Sequence, residues 1–226
     1  MDKVAVADAN AELIQIDLWG ADAPMILEQL GIDPKLQPDQ VVAGAIEGAP
    51  VQALALEPTF GLGVRLLLPA ANLASIDNLL DQSGAAQLSD KEYSILRIES
   101  GLPAGGAELT EDYTPLEAGL AAAISSTKGC YTGQEVIARQ VTYDKVTQRL
   151  CGLRLTRGAQ PGERVWAPDG SPVGKVTSAA TSPRFGEIAL AVVKRLHHEP
   201  GSDLRVGEAL ESAMEGRVVS LPFHGD

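Results

Sequence analysis

Lys128-Gly129-Cys130-Tyr131-Thr132-Gly133-Gln134-Glu135 is the most informative stretch of this sequence. Two glycines bracket a cysteine and a tyrosine, and the chain then enters an expected helix at Gln134-Glu135-Val136-Ile137-Ala138-Arg139. A cysteine just ahead of a helix N-terminus feels the positive end of the dipole, and Lys128 adds a cationic neighbour. Both effects favour the thiolate, so Cys130 reads as a reactive thiol or a soft ligand for a metal or cluster. The plainer alternative is a small buried residue in a glycine-rich turn, because free cysteines are among the most buried residue types.

On either side of this octet the pattern changes. Upstream, Ser100 to Asp144 carries Gly101, Pro103, Gly105, Gly106, Pro115 and Gly119, and reads as ordered loop with short helical pieces. Long ordered loops tend to be functional. The first ninety residues alternate strand and helix signals. Glu12–Trp19 reads as a strand, and Asp22 with Pro24 opens a helix that runs to Gly31. Val41–Glu47 and Val51–Glu57 read as a hairpin turned at Gly48-Ala49-Pro50, with Val64–Leu68 as a further strand. Ala70–Ser83 is a second helix, and Ser89-Asp90-Lys91-Glu92 has the form of a capping box that starts a third. After Val146 come short strands at Arg149–Leu155, Arg164–Ala167, Ser171–Ser178, Ile188–Val193 and Arg217–Leu221 between turn signals. The expectation is an α+β fold: an antiparallel sheet with helices over residues 1–145, then a small β-barrel over 146–226.

Composition excludes several function classes. The 226 residues carry 18 basic and 30 acidic side chains, a formal net charge of −12. Phosphate-driven affinity rests on Lys and Arg, so a general nucleic-acid binder is not expected. Nine aromatic residues leave few stacking platforms for single strands. No apolar run approaches the ~20 residues of a membrane span, and the first residues lack the form of a signal peptide. A cytoplasmic protein with free thiols at Cys130 and Cys151 is the expectation, with Cys151 in a strand core. Neither cysteine forms a Cys-x-x-Cys pair, so no metal site is expected.

The octet resembles the K-G-C-Y-x-G-Q-E signature of YgfZ-type folate-binding proteins, a branch of the glycine cleavage T-protein superfamily. Three further strings are similar to superfamily spacing. They are Arg97-Ile98-Glu99-Ser100-Gly101-Leu102-Pro103, Gly106-Ala107-Glu108, and Thr114-Pro115-Leu116-Glu117-Ala118-Gly119-Leu120. The tail with Gly174-Lys175-Val176-Thr177-Ser178 resembles the C-terminal barrel, so the resemblance spans nearly the whole chain. It implies a ferredoxin-like antiparallel part followed by the barrel, and tetrahydrofolate or a derivative as cofactor. It also implies an accessory role in iron–sulfur cluster assembly or repair, with client or assembly proteins as partners. The alternative is a tetrahydrofolate-dependent aminomethyltransferase.

Two departures favour the YgfZ branch. Family members carry an N-terminal segment that this chain is expected to lack, which would leave an apolar face for a second copy or a partner chain. The T-protein Y-T-G-E-x-G-F-E strand aligns with Phe60-Gly61-Leu62-Gly63-Val64-Arg65-Leu66, which puts Arg65 where a pterin-contacting glutamate stands, and a cation accepts no N–H donor. By resemblance, Arg97 matches the folate-engaging arginine, whose fork suits a carboxylate; the alternative is a helix-end ion pair with Glu99 or Asp112. Glu117 falls on the cofactor side, or braces the loop. Lys128, Gly129, Cys130, Tyr131, Gly133, Gln134 and Glu135 match the octet signature, with Cys130 as the functional thiol.

Overall fold

The computed structural model describes residues 3–37, 40–56 and 63–224. They group into two compact units, Met1–Leu88 and Ser89–Asp226. The boundary expected at 145/146 falls within the second unit.

In the first unit the chain runs β1 (Leu13–Trp19), α1 (Ala23–Gln29), β2 (Val41–Ile46), β3 (Ala49–Leu56), β4 (Gly63–Pro69), a 3-10 turn and α2 (Leu73–Gln82). The strands form one antiparallel sheet in the order β1-β4-β3-β2. Period-two patterning sets its buried face: Val64, Leu66 and Leu68 on β4 and Val51 and Ala53 on β3 pack with Leu27 of α1 and Ile76 of α2. The other face of β4 carries Arg65, directly opposite Asp17 of β1. Its Nε and Nη2 each donate to an Asp17 oxygen at 2.8 Å. Arg65 therefore spends its fork on a cross-strand carboxylate. Phe60, Gly61 and Leu62, in the aligned run before it, lie outside the described residues.

The hairpin turns earlier than expected. Glu47 and Gly48 take φ of 50° and 83°, the left-handed pair that a two-residue turn needs to match strand twist. Ala49 and Pro50 consequently belong to β3, where Pro50 pairs with Ala45. Its missing N–H is tolerated because the β3–β4 register begins only at Gln52.

The second unit holds α3 (Asp90–Ser100), α4 (Gln134–Thr142), β5 (Gln148–Leu155), β6 (Arg164–Trp166), β7 (Pro172–Ser182), β8 (Gly186–Lys194), β9 (Asp203–Gly207) and β10 (Met214–Val219). The six strands close into a barrel in the order β10-β5-β8-β7-β6-β9. Leu153, Val165, Val176, Ala191, Val193 and Val206 point into it. The sequence reading lacked β9, whose five residues alternate Leu204 and Val206 with charged neighbours and carry too weak a strand signal. It also stopped β7 short, at Ser178 rather than Ser182, because Ala179-Ala180-Thr181 looks bland without its partner β8.

Gly174 of β7 lies against Val193, and a β-carbon there would stand 2.5 Å from the Val192 carbonyl oxygen. Gly174→Ala is expected to destabilise the barrel by about 1–3 kcal/mol through overpacking, read by scanning calorimetry. Gly129→Ala, with nothing within 4 Å of the added carbon, should melt with the parent protein. Equal melting of both variants would contradict the close strand contact.

Candidate functional site

Helix α3 begins with the capping box that the sequence announces. Ser89 Oγ accepts from Glu92 N–H at 3.3 Å, and the Ser89 N–H donates to Glu92 at 2.8 Å. The helix ends on left-handed Gly101. Arg97 in the last turn and Glu99 two residues on are thereby aimed at β7.

Arg97 pairs with neither Glu99 nor Asp112. Its Nη2 donates to Ser178 Oγ at 2.7 Å, and its Nη1 reaches the Leu102 carbonyl at 3.3 Å and Glu108 Oε2 at 3.4 Å. Glu108 has no exposed surface. Its carboxylate also accepts from Ser178 Oγ at 2.7 Å and from the Ala104 N–H at 2.9 Å. A buried carboxylate is tolerable only when paired and hydrogen-bonded in this way. Four residues along the same face of β7, Ser182 Oγ donates to buried Glu99 at 2.6 Å. Arg97→Ala leaves Glu108 uncompensated, so it is expected to cost about 3–5 kcal/mol of unfolding free energy. Adding Glu108→Gln should restore part of that loss in a denaturant double-mutant cycle. Strict additivity would deny the coupling.

Glu117 is also buried. One oxygen accepts from the Thr114 N–H and Oγ1, both at 3.0 Å, and the other from Thr147 Oγ1 at 3.2 Å. Gln140 of α4 donates to Thr114 Oγ1 at 3.1 Å. Its own Oε1 is buried without a hydrogen-bond partner, the one such side-chain atom among the described residues. Half-buried Tyr113 follows Asp112 in the same loop. Burial pushes its phenol above the ordinary value, and Asp112, Glu108 and Glu117 add to the rise. Tyr113 also lines a cleft of ≈ 270 Å³ with Gly106, Thr110, Lys175 and Thr177.

The octet is placed differently. Cys130 is exposed and free, contrary to the buried-turn alternative. The Lys128 ammonium sits 4.5 Å from the centre of the Tyr131 ring. Gly133, at φ 87°, starts α4, and Gln134 N–H donates to the Tyr131 carbonyl at 3.2 Å. Glu135 pairs with Arg139 at 2.6 Å one turn on. No residue of α4 is buried, and Val136 and Val141 are more than half exposed. Glu108, Ser178, Ser182, Tyr113 and Gln140 were not singled out for these roles by the sequence. Only Glu108 and Ser178 fell inside quoted strings, and the carboxylate–hydroxyl pairing exists only once β7 folds.

The second cysteine, Cys151 on β5, is buried and pushed up to about 12 by that burial. Its thiol lies 3.6 Å from the Ala191 carbonyl. Iodoacetamide on the native protein, read by peptide mass spectrometry, should modify Cys130 and reach Cys151 only after unfolding. Comparable native labelling of both would contradict these placements.

Comparison with known proteins places this geometry in context. Residues 148–224 match the glycine cleavage T-protein C-terminal barrel domain. A chloroplastic protein of Arabidopsis thaliana named as a transferase is 32% identical over 98% of this chain and 51% of its own length. The aminomethyltransferase of Herpetosiphon aurantiacus is 31% identical over 98% of the chain and 62% of its own length. That of Saccharopolyspora erythraea is 36% identical over 72% and 46% respectively. A solved aminomethyltransferase T of the glycine cleavage system from Bartonella henselae shares the fold, with TM-score 0.81 at 22% identity over 94% of the chain and 60% of that protein. The chain thus spans about half to three-fifths of the length of these relatives. The similarities support the T-protein superfamily and the α+β-plus-barrel fold. No helix among the described residues is long and apolar enough to cross a membrane.

Proposed function

We propose that this chain is a tetrahydrofolate-binding protein of the T-protein type that acts as an accessory in iron–sulfur cluster assembly or repair, with Cys130 as its working thiol and a cytoplasmic setting. The observation that carries the folate part is similarity along 98% of the chain to a protein named as an aminomethyltransferase. The observation that favours the accessory role is the solvent-facing Cys130 beside Lys128 and Tyr131. A thiol in this position is accessible to a client protein, where it would ligate cluster iron through sulfur. Client and assembly proteins, and a second copy of the chain, are the partners this reading calls for.

Fit to folate is partial. The cleft beside Tyr113, of ≈ 270 Å³, and another of ≈ 240 Å³ lined by Arg154, Arg217 and Phe223 fall below the ~300 Å³ at which pockets for larger ligands begin, so neither is assigned to the cofactor. Gln140 Oε1 is a buried acceptor that lacks a donor, and a pterin supplies N–H donors. In this reading Arg97 and Glu117, engaged by internal hydrogen bonds, hold the shape of the loop that would receive the cofactor. Folate would supply a carrier for one-carbon units; the residues described here orient and enclose.

The second reading is aminomethyl transfer, favoured by the names of the relatives. Calorimetric titration of the reduced protein with tetrahydrofolate should give saturable one-to-one binding, retained by Cys130→Ala. The same substitution should lower cluster-enzyme activity in cells. Binding without any effect of Cys130→Ala, together with methylenetetrahydrofolate formation from an aminomethylated lipoyl carrier, would move the assignment to the transferase. Absence of binding would remove folate from both readings.

A further inference from the structure

Lys175 of β7 stands on the outside of the barrel, directly opposite Arg164 of β6 and with Val192 of β8 on its other side. Directly opposed side chains share a face with β-carbons ~5 Å apart, so neither neighbouring strand sets a carboxylate across from the Lys175 ammonium. Arg164 holds its guanidinium 5.7 Å from the centre of the Trp166 ring. Glu163, next to Arg164 in the chain, turns its carboxylate to the Gln160 N–H at 3.2 Å. Among the described residues the Lys175 side chain enters no ion pair and no hydrogen bond.

The loop after α3 borders this lysine. Thr110, Asp112 and Tyr113 line a cleft of ≈ 270 Å³ together with Lys175. Gly106 and Gly162 form part of its wall, at φ of 79° and 98°. A β-carbon at Gly106 would meet nothing within 4 Å, and one at Gly162 only Lys175 Cε at 4.0 Å, so the space between loop and barrel turn stays open. Buried Thr177 in the same cleft already spends its hydroxyl on the Leu190 carbonyl at 3.1 Å. The groups left over are of two kinds. Thr110 Oγ1 accepts the Asp112 N–H at 3.2 Å, which leaves its own O–H to donate. Tyr113 keeps its phenol proton at neutral pH, because burial and the carboxylates of Asp112, Glu108 and Glu117 push its pKa up. Lys175 adds three N–H donors. Facing these donors is one acceptor, the exposed carboxylate of Asp112, which is not paired with Lys175.

We infer that this cleft binds a free α-amino acid by its zwitterionic end, with the carboxylate on Lys175, Tyr113 and Thr110 and the ammonium on Asp112. A simple anion would bring a second negative charge up to Asp112, and a simple amine a second positive charge up to Lys175. A zwitterion answers both with charge-assisted hydrogen bonds, the stronger kind. None of these residues belongs to the Cys130 octet, and the site is independent of the folate reading.

The test is calorimetric titration of the full chain with L-alanine, L-serine, L-glutamate and L-lysine at neutral pH and constant ionic strength, with thermal shift alongside. At least one of the four should bind saturably, one to one, and raise the melting temperature. Lys175→Gln and Asp112→Asn, both at exposed positions, should melt with the parent protein when no amino acid is present. Each should weaken the binding about tenfold, the size of one charge-assisted contact. Sodium acetate and methylammonium chloride each carry one end of the zwitterion. Acetate should bind more weakly than the amino acid and lose affinity in Lys175→Gln alone, and methylammonium in Asp112→Asn alone. No binding by any of the four, binding unchanged in either variant, or an affinity matched by acetate would overturn the inference.

Discussion

The buried carboxylate of Glu108 is the constraint around which the second unit is organised. A charge with no exposed surface has to be met on every side, and here Arg97, Ser178 and the Ala104 N–H meet it. Each donor comes from a different place: the end of α3, strand β7 and the loop between. Satisfying one carboxylate thus fixes three pieces of chain at once. Such a cluster adds little net stability compared with apolar packing, but removing one member is expensive. That asymmetry favours a single arrangement of the loop.

Glu108 belongs to a set. Glu99, Glu108 and Glu117 are all buried, and each ties the stretch from α3 to α4 to the barrel or its entry. Glu99 takes the Ser182 hydroxyl on β7, and its carbonyl receives the Phe223 N–H beyond β10 at 2.7 Å. Glu117 takes Thr147, and its carbonyl receives the Leu150 N–H of β5 at 2.8 Å. A glycine- and proline-rich stretch would otherwise have little reason to hold one shape, because it buries few large apolar side chains. Carboxylates spaced along it replace the missing core with directional contacts.

This explains which parts of the molecule were readable from sequence. Periodic apolar residues announced β1, α1, β4, α2 and most of the barrel, because burial on one face is a local pattern. The capping box of α3 is local too, and Ser89 and Glu92 met as written. What escaped depends on contacts between distant residues. β9 is short and polar on alternate positions, and β7 extends to Ser182 only because β8 pairs with it. Arg97 reads as a folate-engaging residue, with a helix-end pair to Glu99 or Asp112 as the alternative; of that alternative the structure shows neither pair, because its partner Ser178 is 81 residues away. The Glu47-Gly48 turn was missed because Pro50 is the louder turn signal, although it sits harmlessly beyond the β3–β4 register.

The contrast between the buried glutamates and the octet bears on function. Sites that transfer groups ordinarily hold their polar atoms in a water-excluded, preorganised pocket. Among the described residues the buried glutamates are spent on bracing: the carboxylates of Glu99, Glu108 and Glu117 all accept donors from this chain. The residue with distinctive chemistry, Cys130, instead stands in solvent, next to a helix whose apolar side chains Val136 and Val141 are also exposed. The two cysteines differ accordingly, since Cys151 is made inert by the same burial that raises its thiol. An exposed thiol suits an encounter with another macromolecule better than enclosure of a small substrate. That placement is compatible with the accessory role proposed above, while the relatives' names fit the transferase role at least as well. Bracing built from buried carboxylates would then keep the loop ordered while leaving its cysteine within reach of a partner.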